Sequence, residues 1–378
     1  MTVTGTEFKR GLEGVIADQS SICLVDGVEG KLYYRGYSIS DLVGCTFPEV
    51  TYLLLKGKLP NQKELSEITH KLREKRSIPR FIIDIIHSLP KSAHPMEVLQ
   101  ACVAALGTAH HDDEPLEEKI ITLISQFPII CASYYRYKKG QAVVPSSQDE
   151  SEGGHFLQIL KDAQSDKEEA RIMETCFILH MEHGFNASTF AARAIGSTLA
   201  PYHASISGAV GSLYGPLHGG ANEGVLDIVK EIGSPENVSA WVKKALQEKR
   251  KITGMGHRVY KVKDPRAYIL EDLLKSCAEK TGNTKNYEIL KELEVTMKLE
   301  MEKRGKPIYP NVDFFSGALY NLLGIPRELF TPLFAIARVV GWSAHLVEMW
   351  QDNRLYRPKL LYQGTRDEKF IPLKNRRS

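Results

Sequence analysis

The segment Gly215-Pro-Leu-His218-Gly-Gly-Ala-Asn222-Glu223 interrupts a chain whose apolar pattern is otherwise helical. Three further segments rich in glycine, asparagine and histidine do the same, at 182–188, 254–261 and 310–317. Soluble enzymes concentrate functional side chains in loops that a rigid scaffold holds in place. The pattern therefore predicts a helical protein whose chemistry lies in its loops.

Helix signals surround these four segments. Asn61 and Glu64 have the spacing of a capping box, and Pro95 opens a helix that runs to Leu106. The pair Asp264-Pro265 begins a helix that ends at about Lys280. The other predicted helices are Arg80–Leu89, Pro115–Lys138 with an interruption at Pro128, Glu168–His180, Glu236–Lys251 and Asn286–Arg304.

The one clear strand signal lies near the N-terminus. Residues 21–25 and 31–35 flank the turn 26–30, which is rich in glycine and acidic residues and predicts a hairpin. The polar stretch 141–154 predicts a loop. With so few strands against many helices, the predicted fold class is all-α with a small β appendage.

Composition places the chain among ordinary soluble globular proteins. It has 378 residues, 43% of them hydrophobic and 25% charged, which excludes a disordered chain, a collagen-like fibre and a disulfide-stapled mini-protein. The length favours two domains or one elaborated domain. A net charge of +3 gives no reason to expect a nucleic-acid partner.

We predict a cytoplasmic protein that does not interact with a membrane. The N-terminal residues contain no apolar run that could form a signal-peptide core, and no stretch of about 18 apolar residues predicts a spanning helix. The six cysteines are scattered without a C-x-x-C pair, which favours buried free thiols in a reducing compartment.

Metal and dinucleotide sites are disfavoured. His180-x-x-His183 and the cluster 110–113 (His-His-Asp-Asp) offer donor atoms, but neither has the H-E-x-x-H pattern. Gly254-x-Gly256 is too short for a dinucleotide fingerprint and follows no predicted strand. We therefore predict no metal.

The candidate residues also have purely structural interpretations. His218 could satisfy backbone groups at a helix end, and Asp313 could be the N-cap of a helix that begins at Phe314. Asp264 could serve only to start a helix, which would leave Arg266 solvated.

Two histidines and an aspartate without a metal suit proton abstraction next to a carbonyl. A carboxylate base removes the C–H proton, and a neutral donor stabilises the enolate oxygen that develops. Arginines on the same scaffold would hold carboxylate groups of a substrate, because a guanidinium binds them in a bidentate manner.

The loop segments resemble the characteristic motifs of citrate synthases. They are 215–222 (GPLHGGAN), 254–260 (GMGHRVY) with 264–266 (DPR), and 310–316 (PNVDFFS), in the family's order. Similarity extends from 11–14 (GLEG) and 34–37 (YRGY) to 353–359 (NRLYRPK), which covers most of the chain. The match is to the short bacterial and archaeal type, which implies a homodimer.

The resemblance implies roles for individual residues. His218 would donate a hydrogen bond to the acetyl thioester oxygen while Asp313 removes the methyl proton, and His257 would polarise the ketone of oxaloacetate. The residues that would bind oxaloacetate are His183, Arg266, Arg338 and, from the other subunit, Arg357. Those that would contact coenzyme A (CoA) are Arg258, Lys261 and Lys263. The implied substrates are acetyl-CoA and oxaloacetate, with no cofactor besides the CoA thioester.

The resemblance also implies a domain organisation. A large helical domain would comprise residues 1–219 and 325–378, with a smaller helical domain, 220–324, inserted in it. The small domain would close over oxaloacetate, and Gly219-Gly220 lies where a hinge is useful. The tail 365–378 would embrace the partner subunit, or else fray as chain termini do.

Three other functions compete with this interpretation. A 2-methylcitrate synthase performs the same chemistry on propionyl-CoA, and one methylene in an apolar pocket is worth only about 1–3 kcal/mol. ATP-citrate lyase shares a related helical module, but the chain has no room for its nucleotide and CoA-ligase domains. A non-catalytic helical scaffold would give no reason for histidines, an aspartate and arginines in ordered loops.

Overall fold

The computed structural model describes residues 8–109, 114–146 and 151–376. Sixteen α-helices, four short 3₁₀ helices and three short strands account for the regular structure of these residues, so the all-α prediction is confirmed. The strands are β1 (Cys23–Asp26), β2 (Lys31–Tyr34) and β3 (Tyr37–Ser38). The helices are α1 (Ile39–Leu42), α2 (Phe47–Lys56), α3 (Gln62–Glu74), α4 (Arg80–Ser88), α5 (Pro95–Gly107), α6 (Leu116–Lys138), α7 (Glu152–Lys161), α8 (Lys167–His180), α9 (Ala187–Gly196), α10 (Tyr202–Tyr214), α11 (Ala221–Ile232), α12 (Val238–Gln247), α13 (Pro265–Thr281), α14 (Lys285–Lys303), α15 (Val312–Leu322) and α16 (Phe330–Gln351).

Local capping signals set several helix starts as predicted. Asn61 Oδ1 accepts from Glu64 N at 3.0 Å, and Glu64 Oε2 accepts from Asn61 N at 2.9 Å, which is the expected capping box. Pro95 occupies the first position of α5, where its missing N–H leaves no bond unmade. Asp264 caps α13 by accepting from Arg266 N at 3.0 Å.

Three helix predictions need correction. α6 continues without interruption through Pro128, because this segment is buried in the core and its packing outweighs the loss of one helical hydrogen bond. Pro115 precedes that helix as its N-cap. The segment predicted as one helix from Glu236 is a short 3₁₀ turn, Pro235–Asn237, followed by α12, which ends four residues early.

The predicted loop 141–154 is also shorter than expected. Residues 141–146 have no regular structure, but α7 begins at Glu152, where the side chain of Ser151 accepts from Gly154 N at 3.2 Å. Residues 147–150 lie outside the described residues. The cap places Gly153 and Gly154 inside a buried helix, a position that their composition alone does not predict.

The N-terminal hairpin is confirmed and carries a third strand. β1 and β2 pair antiparallel from Cys23 opposite Tyr34 to Asp26 opposite Lys31, and β3 pairs with β2. The two residues of β3 are too few to give a strand pattern in the sequence.

α16 is the central helix of the core. It packs against α2, α5, α6, α8, α9, α10 and α11. The segment Arg327–Gln351 is long and apolar enough to cross a membrane, which the sequence prediction excluded, but 94% of its most apolar window is buried inside the protein. The helix owes its composition to that burial.

Helices α11 to α15 pack mainly on one another. α15 contacts α11, α13 and α14, and α14 contacts α12. The cysteines are all free thiols, four of them buried and two partly buried, as predicted.

Candidate active site

Three of the four predicted loop segments lie between consecutive helices, whereas the fourth, 310–317, is non-helical only at residues 310–311 and continues as the start of α15, which Asn311 caps. His183 lies between α8 and α9, His218 between α10 and α11, and His257 between α12 and α13, while Asp313 lies in the first turn of α15. Hydrogen bonds join the last two loops: Gly256 N donates to Tyr309 O at 2.7 Å and Asn311 N donates to Gly254 O at 2.9 Å. Residues far apart in sequence are thereby brought to one place.

Gly254 allows this close approach. Its φ of +82° lies in the left-handed region, which side chains disfavour. A Cβ at this position would lie 2.8 Å from the Val225 side chain and 3.0 Å from the Phe314 Cα. The glycine is therefore required both by its conformation and by the lack of space.

The hydrogen bonds of His257 define its tautomer. Nδ1 accepts from the backbone N–H groups of Val259 at 3.0 Å and Tyr260 at 3.1 Å, so the neutral ring carries its proton on Nε2. Burial lowers the pKa of His257 to about 4, and the charge of Arg266 contributes. At neutral pH the ring is therefore an uncharged donor through Nε2.

The hydrogen bonds of His218 define the opposite tautomer. Its Nε2 accepts from Ser188 N at 3.3 Å, and because a backbone N–H can only donate, the neutral ring carries its proton on Nδ1. Ser188 Oγ lies 2.9 Å from the same nitrogen and accepts from Trp342 Nε1 at 3.1 Å. Burial lowers the pKa of His218 to about 4, and Arg338 adds to this. The interpretation of His218 as a residue that only closes a helix end does not account for this network.

Asp313 is a buried carboxyl group with an elevated pKa. Only 8% of the residue is exposed, and its Oδ1 has no hydrogen-bond partner in the protein. Burial raises the pKa of Asp313 to about 7, although the charges of Arg266 and Arg338 oppose the change. The N-cap of α15 is Asn311, whose Oδ1 accepts from Asp313 N at 2.9 Å, so the capping interpretation of Asp313 is wrong.

Arg266 is buried and paired, so the expectation that it could be solvated is also wrong. Its Nε and Nη2 donate to the two carboxylate oxygens of Asp264 at 3.0 and 2.7 Å. Asp264 therefore caps α13 and also neutralises a buried guanidinium.

Arg338, in the middle of α16, is only partly satisfied. Nε donates to the carbonyl oxygen of His180 at 2.7 Å, whereas Nη2 is buried without a partner in the protein. Burial lowers the pKa of Arg338 to about 10, which leaves the group charged at neutral pH. A buried cation with a free donor fits an anionic ligand.

His183 joins this cluster through aromatic and polar contacts. Its Nε2 lies 3.1 Å from Tyr260 Oη, and its ring centroid is 5.2 Å from that of His257. Burial lowers the pKa of His183 well below its ordinary value, with Arg266 as the next cause. Its backbone N donates to the buried Glu182 Oε1 at 2.9 Å, which fixes the start of the loop.

Comparison with known proteins agrees with this geometry. The family model described as "Citrate synthase, C-terminal domain" matches residues 11–359. The chain is 44% identical to the citrate synthase of Synechocystis sp., over 98% of this chain and 94% of that protein. The chain belongs to the citrate synthase family. The predictions of the family, the fold class and an enzyme of this type are thereby confirmed.

Two further members of the family are informative about function. The chain is 39% identical to 2-methylcitrate synthase 2 of Corynebacterium glutamicum, over 99% of this chain and all of that protein. It also matches the structure of citrate synthase from Thermoplasma acidophilum in ternary complex with carboxymethyl coenzyme A and oxaloacetate. That match has a TM-score of 0.92 and 33% identity, and covers 98% of this chain and 100% of that one.

Within this citrate synthase fold, one trio of side chains has the spacing of a metal site. Donor atoms of His183, His257 and Asp264 lie within 4.8 Å of one another. However, both oxygens of Asp264 already accept from Arg266, and the charged Arg338 is also close enough to influence His183. Two guanidinium groups make the place unfavourable for a cation.

The other metal candidates give no support either. His180 Nδ1 lies 2.7 Å from the carbonyl oxygen of Cys176, and among the described residues the group of donors with metal spacing contains His183 but not His180. The cluster predicted at 110–113 lies outside the described residues.

The predicted CoA-contacting residues are not equivalent. Arg258 and Lys261 are exposed on the loop of His257, and Arg258 lies 3.8 Å from the exposed Glu13. Lys263 is buried, and its Nζ donates to Glu271 and to Glu294. Because two carboxylates already satisfy its charge, the structure does not support a phosphate contact for Lys263.

Arg357 is exposed, and its side chain bonds to the next residue in the chain. It lies in the extended segment after α16, where Nη1 donates to the carbonyl oxygen of Pro358 at 2.8 Å. That Arg357 serves the site of the partner subunit stays a prediction.

Sequence reasoning did not single out Tyr260, Ser188 and Trp342. Tyr260 and Ser188 lie inside two of the four loop segments, but their roles depend on which atoms they approach. Trp342 lies on the buried α16, and nothing in its sequence neighbourhood indicates that its indole N–H supports the Ser188 hydroxyl.

Proposed function

We propose that the protein is a citrate synthase, which condenses acetyl-CoA with oxaloacetate and hydrolyses the product to citrate and CoA. The observation that carries the proposal is Asp313, whose carboxyl group has a pKa of about 7 and a free oxygen, and which is close enough to the buried Arg266 and Arg338 for their charges to act on it. That combination suits a base that removes a carbon-bound proton near neutral pH. The relatives named citrate synthase support it.

The first step is enolisation of the thioester. Asp313 removes a proton from the acetyl methyl group, and His218 donates from Nδ1 to the thioester oxygen as negative charge develops there. Because the pKa of His218 is about 4, the ring donates as a neutral group and stays uncharged.

The second step forms the carbon–carbon bond. His257 donates from Nε2 to the ketone oxygen of oxaloacetate, and the enol carbon attacks the polarised carbonyl carbon. The ketone oxygen takes up one proton, which in the net balance is the one that Asp313 removed from the methyl group, so the Asp313 carboxylate is restored and the citryl thioester is formed. Water then cleaves the carbon–sulfur bond, and citrate and CoA leave.

Arginine and histidine side chains would hold oxaloacetate. Arg338 offers its free Nη2 to a carboxylate, while Arg266 at the start of α13 and His183 in the loop between α8 and α9 complete the pocket. Asp264 holds the Arg266 guanidinium in a fixed plane, so its position is set before substrate binds.

We propose that Arg258 and Lys261, which are exposed on the loop between α12 and α13, bind the phosphate groups of CoA.

Residues 220–324 would form the domain that closes over oxaloacetate, with the remainder as the large domain. The mutual packing of α11 to α15 supports this division. Closure would exclude water until condensation is complete.

The working form would be a homodimer in which Arg357 reaches the site of the partner subunit. The segment after α16 supports this, because it exposes large apolar side chains: Leu360 is 88% exposed, Phe370 79% and Leu373 77%. Several large apolar side chains exposed on one segment are typical of an interface. The tail 365–378 would contribute to this interface.

We also propose a cytoplasmic location, which the six free thiols support.

We propose acid–base catalysis by protein side chains, with no metal and no cofactor besides the CoA thioester. The two guanidinium groups and the free donors of the histidines suit anionic substrates. Neither a nucleic acid nor a membrane is expected as a partner, since net charge is +3 and the most apolar helix is buried.

The alternative function is 2-methylcitrate synthesis from propionyl-CoA. The relative from Corynebacterium glutamicum supports it, although the Synechocystis protein, with its higher identity to this chain, carries the citrate synthase name. The two substrates differ by one methylene, so the preference is set by about 1–3 kcal/mol. Comparing kcat/KM for the two thioesters decides between them.

The test of the proposed function is thiol release. Purified protein is mixed with oxaloacetate and acetyl-CoA, and free CoA is followed with a thiol reagent. Release that requires oxaloacetate and is lost in Asp313→Asn is expected. If no CoA is released from either thioester, in the presence or absence of a chelator, the proposed enzyme activity is contradicted. A non-catalytic helical scaffold is then the remaining interpretation.

A further inference from the structure

The turn of the N-terminal hairpin lies directly against the loop that carries His257. Lys261 N donates to the carbonyl oxygen of Gly27 at 2.7 Å. This hydrogen bond joins the β1–β2 turn, residues Asp26–Gly30, to the loop between α12 and α13. We call these five residues the hairpin turn.

Gly27 is required by space rather than by conformation. Its φ lies outside the left-handed region, unlike that of Gly30 at +65°. A Cβ on Gly27 would overlap the carbonyl oxygen of Val259, and would lie 2.7 Å from its carbonyl carbon and 2.9 Å from its Cγ1. Because the obstacle is backbone, any side chain at position 27 must push the loop away.

Val259 is one of the residues that orient His257. Its N–H donates to His257 Nδ1, together with that of Tyr260, and these two bonds keep the proton on Nε2. A displacement of Val259 therefore moves or rotates the imidazole. We propose that the hairpin turn is a positioning element for His257, and that Gly27 is the positioning residue on which it depends.

The contact continues on the other side of Lys261. A Cβ on Gly30 would lie 2.6 Å from Val262 Cγ2, so the end of the turn also packs closely on the loop. Asp26 Oδ1 accepts from Val28 N at 2.9 Å and Glu29 N at 2.8 Å, which holds the turn in shape. The hairpin turn is thus a shaped surface that fits residues 259–262.

The consequence for catalysis rests on the proposed function. His257 would donate to the ketone oxygen, and that bond needs a donor placed within a few tenths of an ångström. Misplacement of a reacting group by about 1 Å can cost 10²-fold in rate. The hairpin, far from His257 in sequence, therefore contributes to the rate without touching substrate.

The experiment compares Gly27→Ala with Gly44→Ala. Gly44 is an exposed glycine without positive φ, and a Cβ there would meet only Asp41 O at 3.6 Å, an ordinary contact. We expect kcat of Gly27→Ala to fall by about 10- to 100-fold, while Gly44→Ala keeps the wild-type value. Thiol release gives kcat, and thermal unfolding shows that both variants fold.

A second readout follows the His257 ring itself. Protein labelled on its 12 histidines gives imidazole nitrogen NMR signals, and the His257 signal is assigned from its loss in His257→Gln. In the wild type it should be that of a neutral Nε2–H ring with a pKa near 4. In Gly27→Ala the pKa should move toward the ordinary value, because the ring loses its two backbone donors and part of its burial.

Asp26→Ala keeps the proposal testable if Gly27→Ala does not fold. It leaves the space at Gly27 open but removes two hydrogen bonds of the turn, so a several-fold fall in kcat with the same NMR change is expected. Unchanged kcat, or lower kcat with an unchanged His257 signal, overturns the proposal. A wild type without thiol release contradicts only the proposed function, because the NMR signals need no turnover.

Discussion

At the scale of single residues, the candidate site depends on burial that shifts pKa values in opposite directions. Burial disfavours the charged form of every group, so it raises the pKa of Asp313 and lowers those of His218 and His257. The carboxyl group thereby becomes a stronger base, and the imidazoles become neutral donors. Burial alone therefore gives the base and the two hydrogen-bond donors the protonation states that the proposed reaction needs.

The first prediction concerns Asp313→Asn. An amide cannot accept the proton, so kcat for thiol release should fall by about 10²–10⁴-fold. Asp41→Asn is the matched control, because Asp41 also lies in the first turn of a helix but is exposed. Equal activities of the two variants would contradict the role of Asp313.

The second prediction is a pH dependence of activity and stability with opposite signs. The base must be ionised, so kcat/KM should fall as the pH drops through about 7. The folded-state pKa of Asp313 is above its unfolded value, so the folded protein binds more protons between about pH 4 and 7. Its contribution to stability is therefore present at low pH and lost as the pH rises.

Comparison with Asp313→Asn isolates that contribution. Between pH 5 and pH 8 the wild type should lose about 2–4 kcal/mol of unfolding free energy relative to the variant. His218 and His257 act in the other direction, since their lowered pKa values cost stability as the pH falls below their unfolded value, but both proteins contain them. Denaturant titrations at the two pH values measure the difference, and parallel curves would contradict the elevated pKa.

At the scale of elements, helix starts position the charged residues. Asp264 is the N-cap of α13 and pairs with Arg266 in the first turn of that helix, so one residue sets the start of the helix and the plane of a guanidinium. Asn311 caps α15 and thereby places Asp313 one residue inside the helix. The N-cap hydrogen bonds that begin these two helices therefore also position Arg266 and Asp313.

The third prediction compares two helix caps. Asp264→Ala removes a cap and leaves Arg266 buried without its partner, so we expect a loss of about 3–5 kcal/mol of unfolding free energy. Asp166→Ala removes only the exposed cap of α8, and its loss should be a fraction of that value. Denaturant unfolding of both variants measures the difference, and similar losses would show that the buried pair adds nothing.

At the scale of the whole molecule, we expect assembly of two subunits to complete the proposed site. The segment after α16 is anchored to its own subunit: Tyr356 Oη donates to Asp18 at 2.5 Å and accepts from Arg193 Nε at 3.0 Å. Beyond this anchor the chain is exposed, and Arg357 is the next residue. Because these bonds hold Tyr356, we expect Arg357 to be kept where it can reach the site of a partner subunit.

The fourth prediction tests the shared site by complementation. Arg357→Ala and Asp313→Asn should each be nearly inactive. Random exchange of subunits between them gives half heterodimers, each with one intact site, so activity should return to about one quarter of the wild-type level. Mixing Arg357→Ala with itself is the control, and a mixture that stays inactive despite exchange contradicts a site shared between subunits.

Local signals in the sequence predicted most of the helices, the hairpin and three of the four loops, because caps, turns and apolar periodicity depend on residues near one another in the chain. The identity of the side chains also limited the chemistry. Pro128 shows where such signals fail, since only packing against other helices carries α6 past it.

Only the tertiary structure decided the properties that arise from distant residues. The elevated pKa of Asp313 comes from burial by other elements, and the orientation of His218 comes from Ser188, which precedes it by 30 residues. The approach of Gly27 to Val259 joins segments that no local pattern relates. Sequence determined which groups are available, whereas the packed fold set their protonation and orientation, because both depend on solvent exclusion and on contacts across the chain.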